Sequence, residues 1–247
     1  MTSETTQATL TQLLRGRISN LRKSRRSQDF FFTDADRAKM GATAIVAGLA
    51  GLGGIATGLA GMATDTTEEA DLLEFDLDGK QIKAWVWSSV FKEGDEVEVV
   101  VEQLGDTWQA FGIRRFSDKI VALHPHCSRG RYAHYRKTIK WWIITSAILI
   151  LTGALITSGF AFFDDGIQSA LSMLMFSVFV SGSGFMLISG FIAYRMSSKM
   201  MGFVQLAEGI FQGFGWSDVK NIDLPAITKK TKQSDDPGAL GVLYFRY

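Results

Sequence analysis

Two uncharged stretches, WWIITSAILILTGALITSGFAFF (Trp141 to Phe163) and GIQSALSMLMFSVFVSGSGFMLISGFIAY (Gly166 to Tyr194), stand almost side by side, separated only by Asp164 and Asp165. A helix rises about 1.5 Å per residue and the hydrocarbon core of a bilayer is about 30 Å thick, so each stretch is long enough to cross. Whole-chain averages hide this. A chain of 247 residues with 47% hydrophobic residues and a net charge of +1 reads on average like a soluble protein, but its charge is concentrated outside the apolar runs.

Charge around the two runs sets their direction. Arg129, Arg131, Arg136, Lys137 and Lys140 precede the first with no acid between them, and Arg195 and Lys199 follow the second. Positive residues favour the cytoplasmic side, so residues 139–195 read as a transmembrane hairpin that enters and leaves from the cytoplasm, with those five bases as its topology anchors.

A third uncharged run, residues 40–64, differs in kind: it holds seven glycines among alanines and few large side chains. Gly51, Gly54 and Gly58 are its candidate close-packing positions, because small residues let lipid-embedded helix backbones approach one another. Two readings compete, a single span and a re-entrant segment turning at Gly51 to Gly54. Eight Lys or Arg precede the run and seven acids follow it between Asp65 and Asp78, the pattern of a full span. One full span, however, puts residues 1–39 and the Arg129 to Lys140 stretch on opposite faces although both are basic, and this conflict favours re-entry.

Residues 65–128 read as a small antiparallel barrel of the oligonucleotide-binding type. Leu73, Phe75 and Leu77 alternate with acids, Asp78-Gly79 is a hairpin turn, and apolar strands follow at Ile82–Trp87, Val97–Val101, Trp108–Ile113 and Lys119–Leu123. Glu93, Asp95, Glu96, Glu98 and Glu102 argue against a nucleic-acid partner, since a phosphate-tracking surface needs bases. Protein contact or a structural role is expected instead.

In residues 1–39, Leu10, Leu13, Leu14, Ile18 and Leu21 recur at spacings of three and four among arginines, the pattern of a basic amphipathic helix, docked or resting on anionic headgroups. Residues 196–247 read as an amphipathic helix, Met196 to Phe214, followed by a terminal strand that pairs with the barrel. No apolar core precedes a cleavage site in the first thirty residues, so no cleavable signal is expected. The single cysteine, Cys127, allows no intramolecular disulfide and fits a cytoplasmic or inner-membrane setting.

His124, His126 and Cys127 are the candidate metal ligands by chemistry, since imidazole and thiolate suit zinc. Residues two apart around Pro125 rarely converge without further ligands, and the neighbouring arginines repel a cation. A structural turn without metal or cofactor is the expectation, and no catalytic constellation is legible. The three apolar runs hold no ionisable residue, which argues against an ion-coupled carrier.

Asp29-Phe30-Phe31-Phe32-Thr33, the Gly/Ala-rich run, Glu74-Phe75-Asp76-Leu77-Asp78-Gly79, His124-Pro125-His126-Cys127-Ser128-Arg129-Gly130-Arg131, Asp223-Leu224-Pro225 and Tyr244-Phe245-Arg246-Tyr247 follow one another along the chain. Over most of its length this order resembles a family of bacterial membrane proteins labelled type VI secretion system effectors. The resemblance implies a role in contact-dependent competition between Gram-negative bacteria, with no residue-level function attached. The expected protein is therefore a non-enzymatic, multi-pass α+β protein of the inner membrane. Its expected partners are the lipid bilayer, a cognate protein and a second copy of itself. An immunity or partner-binding role through the β-domain leads, and the alternative is a secreted effector whose Gly-rich segment oligomerises to permeabilise a target membrane.

Overall fold

The computed structural model describes residues 11–30, 67–104 and 107–247. The Gly-rich run with Gly51, Gly54 and Gly58 lies outside the described residues. Two compact units form, one from Met1–Ala133 with Met200–Tyr247 and one from His134–Lys199.

The first unit is built on an eight-stranded mixed sheet. Its strands are β1 (Gln12–Arg17), β2 (Ser19–Asp29), β3 (Thr67–Leu77), β4 (Lys80–Val86), β5 (Glu96–Leu104), β6 (Thr107–Arg115), β7 (Ile120–Leu123) and β8 (Phe245–Arg246). Pairing follows the order β1-β5-β6-β4-β3-β2, with β7 on β6 and β8 on β7. The expected closed antiparallel barrel is corrected on two counts. Strands β4 and β6 are parallel, with Ile82, Lys83 and Ala84 opposite Trp108, Gln109 and Ala110. The hydrogen-bonded path also stays open, because its ends, β1 and β2, do not pair with each other.

Those two ends replace the expected N-terminal helix. β1 pairs with β5 and β2 with β3, and Ile18 is the joint between them. The turn at Glu93 to Asp95 holds that joint: Ile18 N–H donates to the Asp95 carbonyl at 3.0 Å and Gly94 N–H to the Ile18 carbonyl at 2.9 Å. Two residues on, Asn20 takes φ 53° and the register slips between Ser19 and Arg22. The two Glu93 carboxylate oxygens accept the Asn20 and Leu21 N–H groups, each at 2.9 Å. This bulge brings Leu14, Ile18 and Leu21 into one apolar cluster at spacings of four and three. A bulged strand thus reproduces the helical period in sequence. The basic residues between them meet acids across the sheet: Arg15 reaches Glu98 at 2.7 Å, and Lys23 and Arg25 reach Asp71 at 2.9 and 3.2 Å.

Apolar burial fixes the two faces. Leu73, Phe75, Leu77, Ile82, Val97, Val99 and Val101 make one cluster. On the other face Val100, Phe111, Val121 and Leu123 pack against Phe203, Leu206, Ile210 and Phe211 of a helix over Met201–Gly213. Strand β5 is therefore buried on both sides, which is why Val99-Val100-Val101 breaks the alternation expected of a half-buried strand. The expected amphipathic helix, Met196 to Phe214, is divided at Met200, and its second part is buried over most of its circumference. Glycines permit that contact: a Cβ on Gly112 would stand 2.7 Å from Ile210, and one on Gly213 would stand 2.6 Å from Val100.

The second unit is a helical hairpin. We number the helices α1 (Arg131–Asp165), α2 (Ile167–Phe176), α3 (Gly182–Lys199), α4 (Met201–Gly213) and α5 (Leu224–Thr231). A wider π turn, Ser177–Ser181, joins α2 to α3, so Ile167–Lys199 runs as one apolar helix of 33 residues beside the 35 of α1. Both are long and apolar enough to cross a membrane, and their surfaces agree: Leu155, Phe160 and Leu187 are 67%, 70% and 77% exposed. An apolar surface so extensive marks a lipid or protein contact, which is consistent with a membrane protein. Polar groups point inward between the helices. Trp142 Nε1 donates to Ser189 Oγ at 3.1 Å, Thr157 and Ser177 hydroxyls lie 2.9 Å apart, and Thr138 and Ser197 hydroxyls 3.4 Å apart.

Asp71 is the test of the β2–β3 seam, because its buried carboxylate also accepts the Ser89 N–H at 2.7 Å. Asp71→Ala leaves that buried donor unpaired and removes two ion pairs whose cations are half-exposed, so a loss of about 2 kcal/mol is expected. Asp71→Asn, which keeps an acceptor, loses about 1 kcal/mol, and Glu96→Ala at the exposed Arg17 pair changes stability by less than about 0.5 kcal/mol. Denaturation of the full-length protein in detergent measures all three.

Candidate functional site

The corner His124-Pro125-His126-Cys127 follows β7 and leads into α1. Its backbone is a pair of tight turns, with Cys127 N–H donating to the His124 carbonyl at 3.1 Å and His126 in the left-handed region at φ 67°. That geometry sends the three candidate ligands apart. His124 is buried and stacks on Phe111 at 6.0 Å, with Phe30 edge-on at 5.5 Å. His126 turns toward the start of β3, where its Nε2 lies 2.7 Å from Glu68 Oε2 and its ring lies between Trp87 and Phe203 at 5.1 and 4.7 Å. Cys127 is buried in the apolar cluster beneath α4. Among the described residues no group of three His, Cys, Asp or Glu side chains is placed to hold a metal.

Electrostatics follows burial. Desolvation, helped by the nearby His126, lowers the His124 pKa from its ordinary 6.5 to about 3, so its imidazole is neutral at physiological pH. Burial alone raises the Cys127 thiol well above its usual range, which makes it a packing group and not a nucleophile.

The basic collar divides. Arg129 pairs with Asp223 at 3.1 Å beside a backbone bridge between the same residues. Arg131 is bound twice by Glu208: its guanidinium donates to both carboxylate oxygens, at distances down to 2.7 Å, and its backbone N–H donates at 2.8 Å. Glu208 therefore caps the first turn of α1, where unpaired N–H groups and the helix dipole both favour an anion. Arg136, Lys137 and Lys140 lie further along α1 and are exposed. Of the five anchors, two serve the sheet unit's own structure and three project from the hairpin.

Further charge pairs, not read from the sequence, tie the strands together. Glu98 is buried between Arg15 and Arg114, at 2.7 and 3.3 Å. Arg115 chelates Asp95 and Asp118, both at 2.7 Å. Glu208 carried a usable signal, as the sole acid in the apolar stretch Met196 to Phe214. Asp71 and Glu98 carried no such signal, since β3 holds four further acids and β5 two. Grooves in the structure line the hairpin: one of about 260 Å³ is bordered by Gly153, Thr157, Ser177 and Phe185, and one of about 350 Å³ by Tyr135, Trp142, Gly190 and Tyr194. No protein-family model, curated protein or solved structure matches this chain.

The His124 site predicts acid lability. Its folded-state pKa is depressed, so between pH 6.5 and about 3 the unfolded chain binds a proton that the native state excludes, and stability falls as pH falls through that window. The contribution is complete above pH 6.5 and its slope reaches about 1.4 kcal/mol per pH unit. His124→Phe is expected to flatten the dependence by that slope in denaturation midpoints taken at pH 4 to 7, whatever its effect at neutral pH.

Proposed function

We propose that this chain is a non-enzymatic, two-span protein of the bacterial inner membrane whose sheet unit lies wholly in the cytoplasm and binds a protein partner. The observation that carries the topology is the weave of the sheet. It draws strands from residues 11–30, 67–123 and 245–246, so every stretch of chain between them begins and ends on one unit. A folded sheet cannot be threaded by a bilayer. Each excursion therefore makes an even number of complete crossings, and the hairpin makes two.

Asp29 and Thr67 are register partners on β2 and β3, so the chain leaves and rejoins the sheet on one unit. Residues 40–64 lie outside the described residues. The exposed bases Arg136, Lys137, Lys140, Arg195 and Lys199 favour the cytoplasm for the sheet unit.

A binding role is favoured over catalysis because, among the described residues, the buried carboxylates Asp71, Glu98 and Glu208 are held by structural ion pairs and Glu102 accepts the Thr11 hydroxyl at 2.7 Å. The open sheet supplies a docking edge: among the described residues, β2, eleven residues long, pairs with β3 alone. An open mixed sheet with unpaired edge groups supports protein contact by strand addition. The setting comes from the sequence resemblance: interbacterial competition, with the partner a membrane-targeted toxin that this chain neutralises.

Reporter fusions at residues 20, 100, 165 and 247 test the topology. Cytoplasmic signals at 20, 100 and 247 with a periplasmic signal at 165 are expected; a periplasmic signal at 100 overturns it. Co-expression with toxins encoded nearby tests the role: protection is expected. Depolarisation of the host by this chain alone would instead favour the effector reading, with a permeabilising oligomer.

A further inference from the structure

We infer that the hairpin carries a site for one anionic phospholipid, with the headgroup on the basic end of the hairpin and an acyl chain in the groove beneath it. The inference rests on the membrane reading above and adds a ligand to it.

Charge comes first. Within the hairpin unit every base, Arg136, Lys137, Lys140, Arg195 and Lys199, lies at the open end, and the only acids, Asp164 and Asp165, lie at the turn. The contact between Thr138 and Ser197 hydroxyls at 3.4 Å shows that the two sets of bases come from helix segments that lie side by side. All five are exposed. The charge of Arg136, Lys140, Arg195 and Lys199 favours an anion at that end, and a phosphodiester at headgroup depth supplies it. Basic pockets between membrane helices on the cytoplasmic side are recurrent sites of this kind.

The groove gives the site its second half. Its volume is about 350 Å³, and its wall includes Tyr135, Ile139, Trp142, Leu187, Gly190 and Tyr194. Gly190 shapes it, because a Cβ there would stand 2.9 Å from the Trp142 ring, which lies across the glycine and donates to Ser189. Trp142 is thus held in place with its own polar atom satisfied inside the hairpin. The floor is apolar, while Thr138 and Ser197 bring hydroxyls to the basic end. This gradient, apolar below and basic above, is that of a phospholipid from tail to headgroup. A soluble phosphate has no use for the floor, and a neutral lipid has none for the collar.

The test uses the full-length protein reconstituted in vesicles of equal phosphatidylglycerol and phosphatidylcholine, floated on a density gradient, extracted in mild detergent and weighed by native mass spectrometry. Flotation followed by retention of phosphatidylglycerol over phosphatidylcholine by roughly tenfold is expected, since each nearby base contributes a several-fold preference. The triple variant Arg136→Gln, Lys140→Gln, Arg195→Gln should float equally and lose the preference. Ala193→Phe, which fills the groove, should lower retention of both lipids. Equal retention of the two lipids by floated wild-type protein overturns the inference, as does preference surviving in the triple variant or full retention by Ala193→Phe. Failure to float overturns the membrane reading itself and the lipid site with it.

Discussion

A sheet whose strands come from three separated stretches of one chain imposes a constraint that the rest of this molecule obeys. β2 ends at Asp29 opposite the first residue of β3, Thr67, and the sheet unit resumes at Met200 after the hairpin. Backbone hydrogen bonds hold those junctions, and they are many and cooperative, whereas the preference of a single Lys or Arg for one membrane face is on the order of 1 kcal/mol. Strand pairing therefore outweighs the charge of any one residue in holding the sheet unit together.

Ion pairing inside the sheet unit is where sequence reasoning was most misled. Acids within β3 and β5 and bases within the first thirty residues look in sequence like two independent features, a non-nucleic-acid surface and a membrane-seeking helix. They are one feature. Arg15 stands directly opposite Glu98, Arg17 opposite Glu96 and Arg25 opposite Asp71 in strand register. The exposed Arg17–Glu96 pair adds little to stability, but the buried carboxylates of Glu98 and Asp71 would be costly without partners, so they select the one segment that can supply cations at alternate positions. Local propensity had no means of showing this, because the partner lies some eighty residues away in sequence for Glu98.

The hairpin and the strands after Asp65 were legible for opposite reasons. Two uninterrupted apolar runs need no partner to be recognised, and Asp78-Gly79 with positive φ at both residues is a turn that announces its flanking strands. Closure of the sheet was not legible, since it depends on which edges meet. Nor was the fate of the His124 to Cys127 cluster: residue types suggested convergence, and two successive turns with His126 at positive φ send the side chains to different places. Arg129 and Arg131 show the same limit. Sequence placed them with the anchors, yet Asp223 and Glu208, almost eighty residues or more downstream, claim both.

Glu208 explains why that claim is worth its cost. A carboxylate buried in an apolar helix is unfavourable unless it is fully hydrogen-bonded, and Arg131 satisfies it with a bidentate guanidinium and a backbone N–H at once. The second contact fixes where α1 begins. Arg131, at the start of α1, is thereby held by Glu208 of α4. A lysine at position 131 would keep the charge and the backbone N–H contact but lose the bidentate fork.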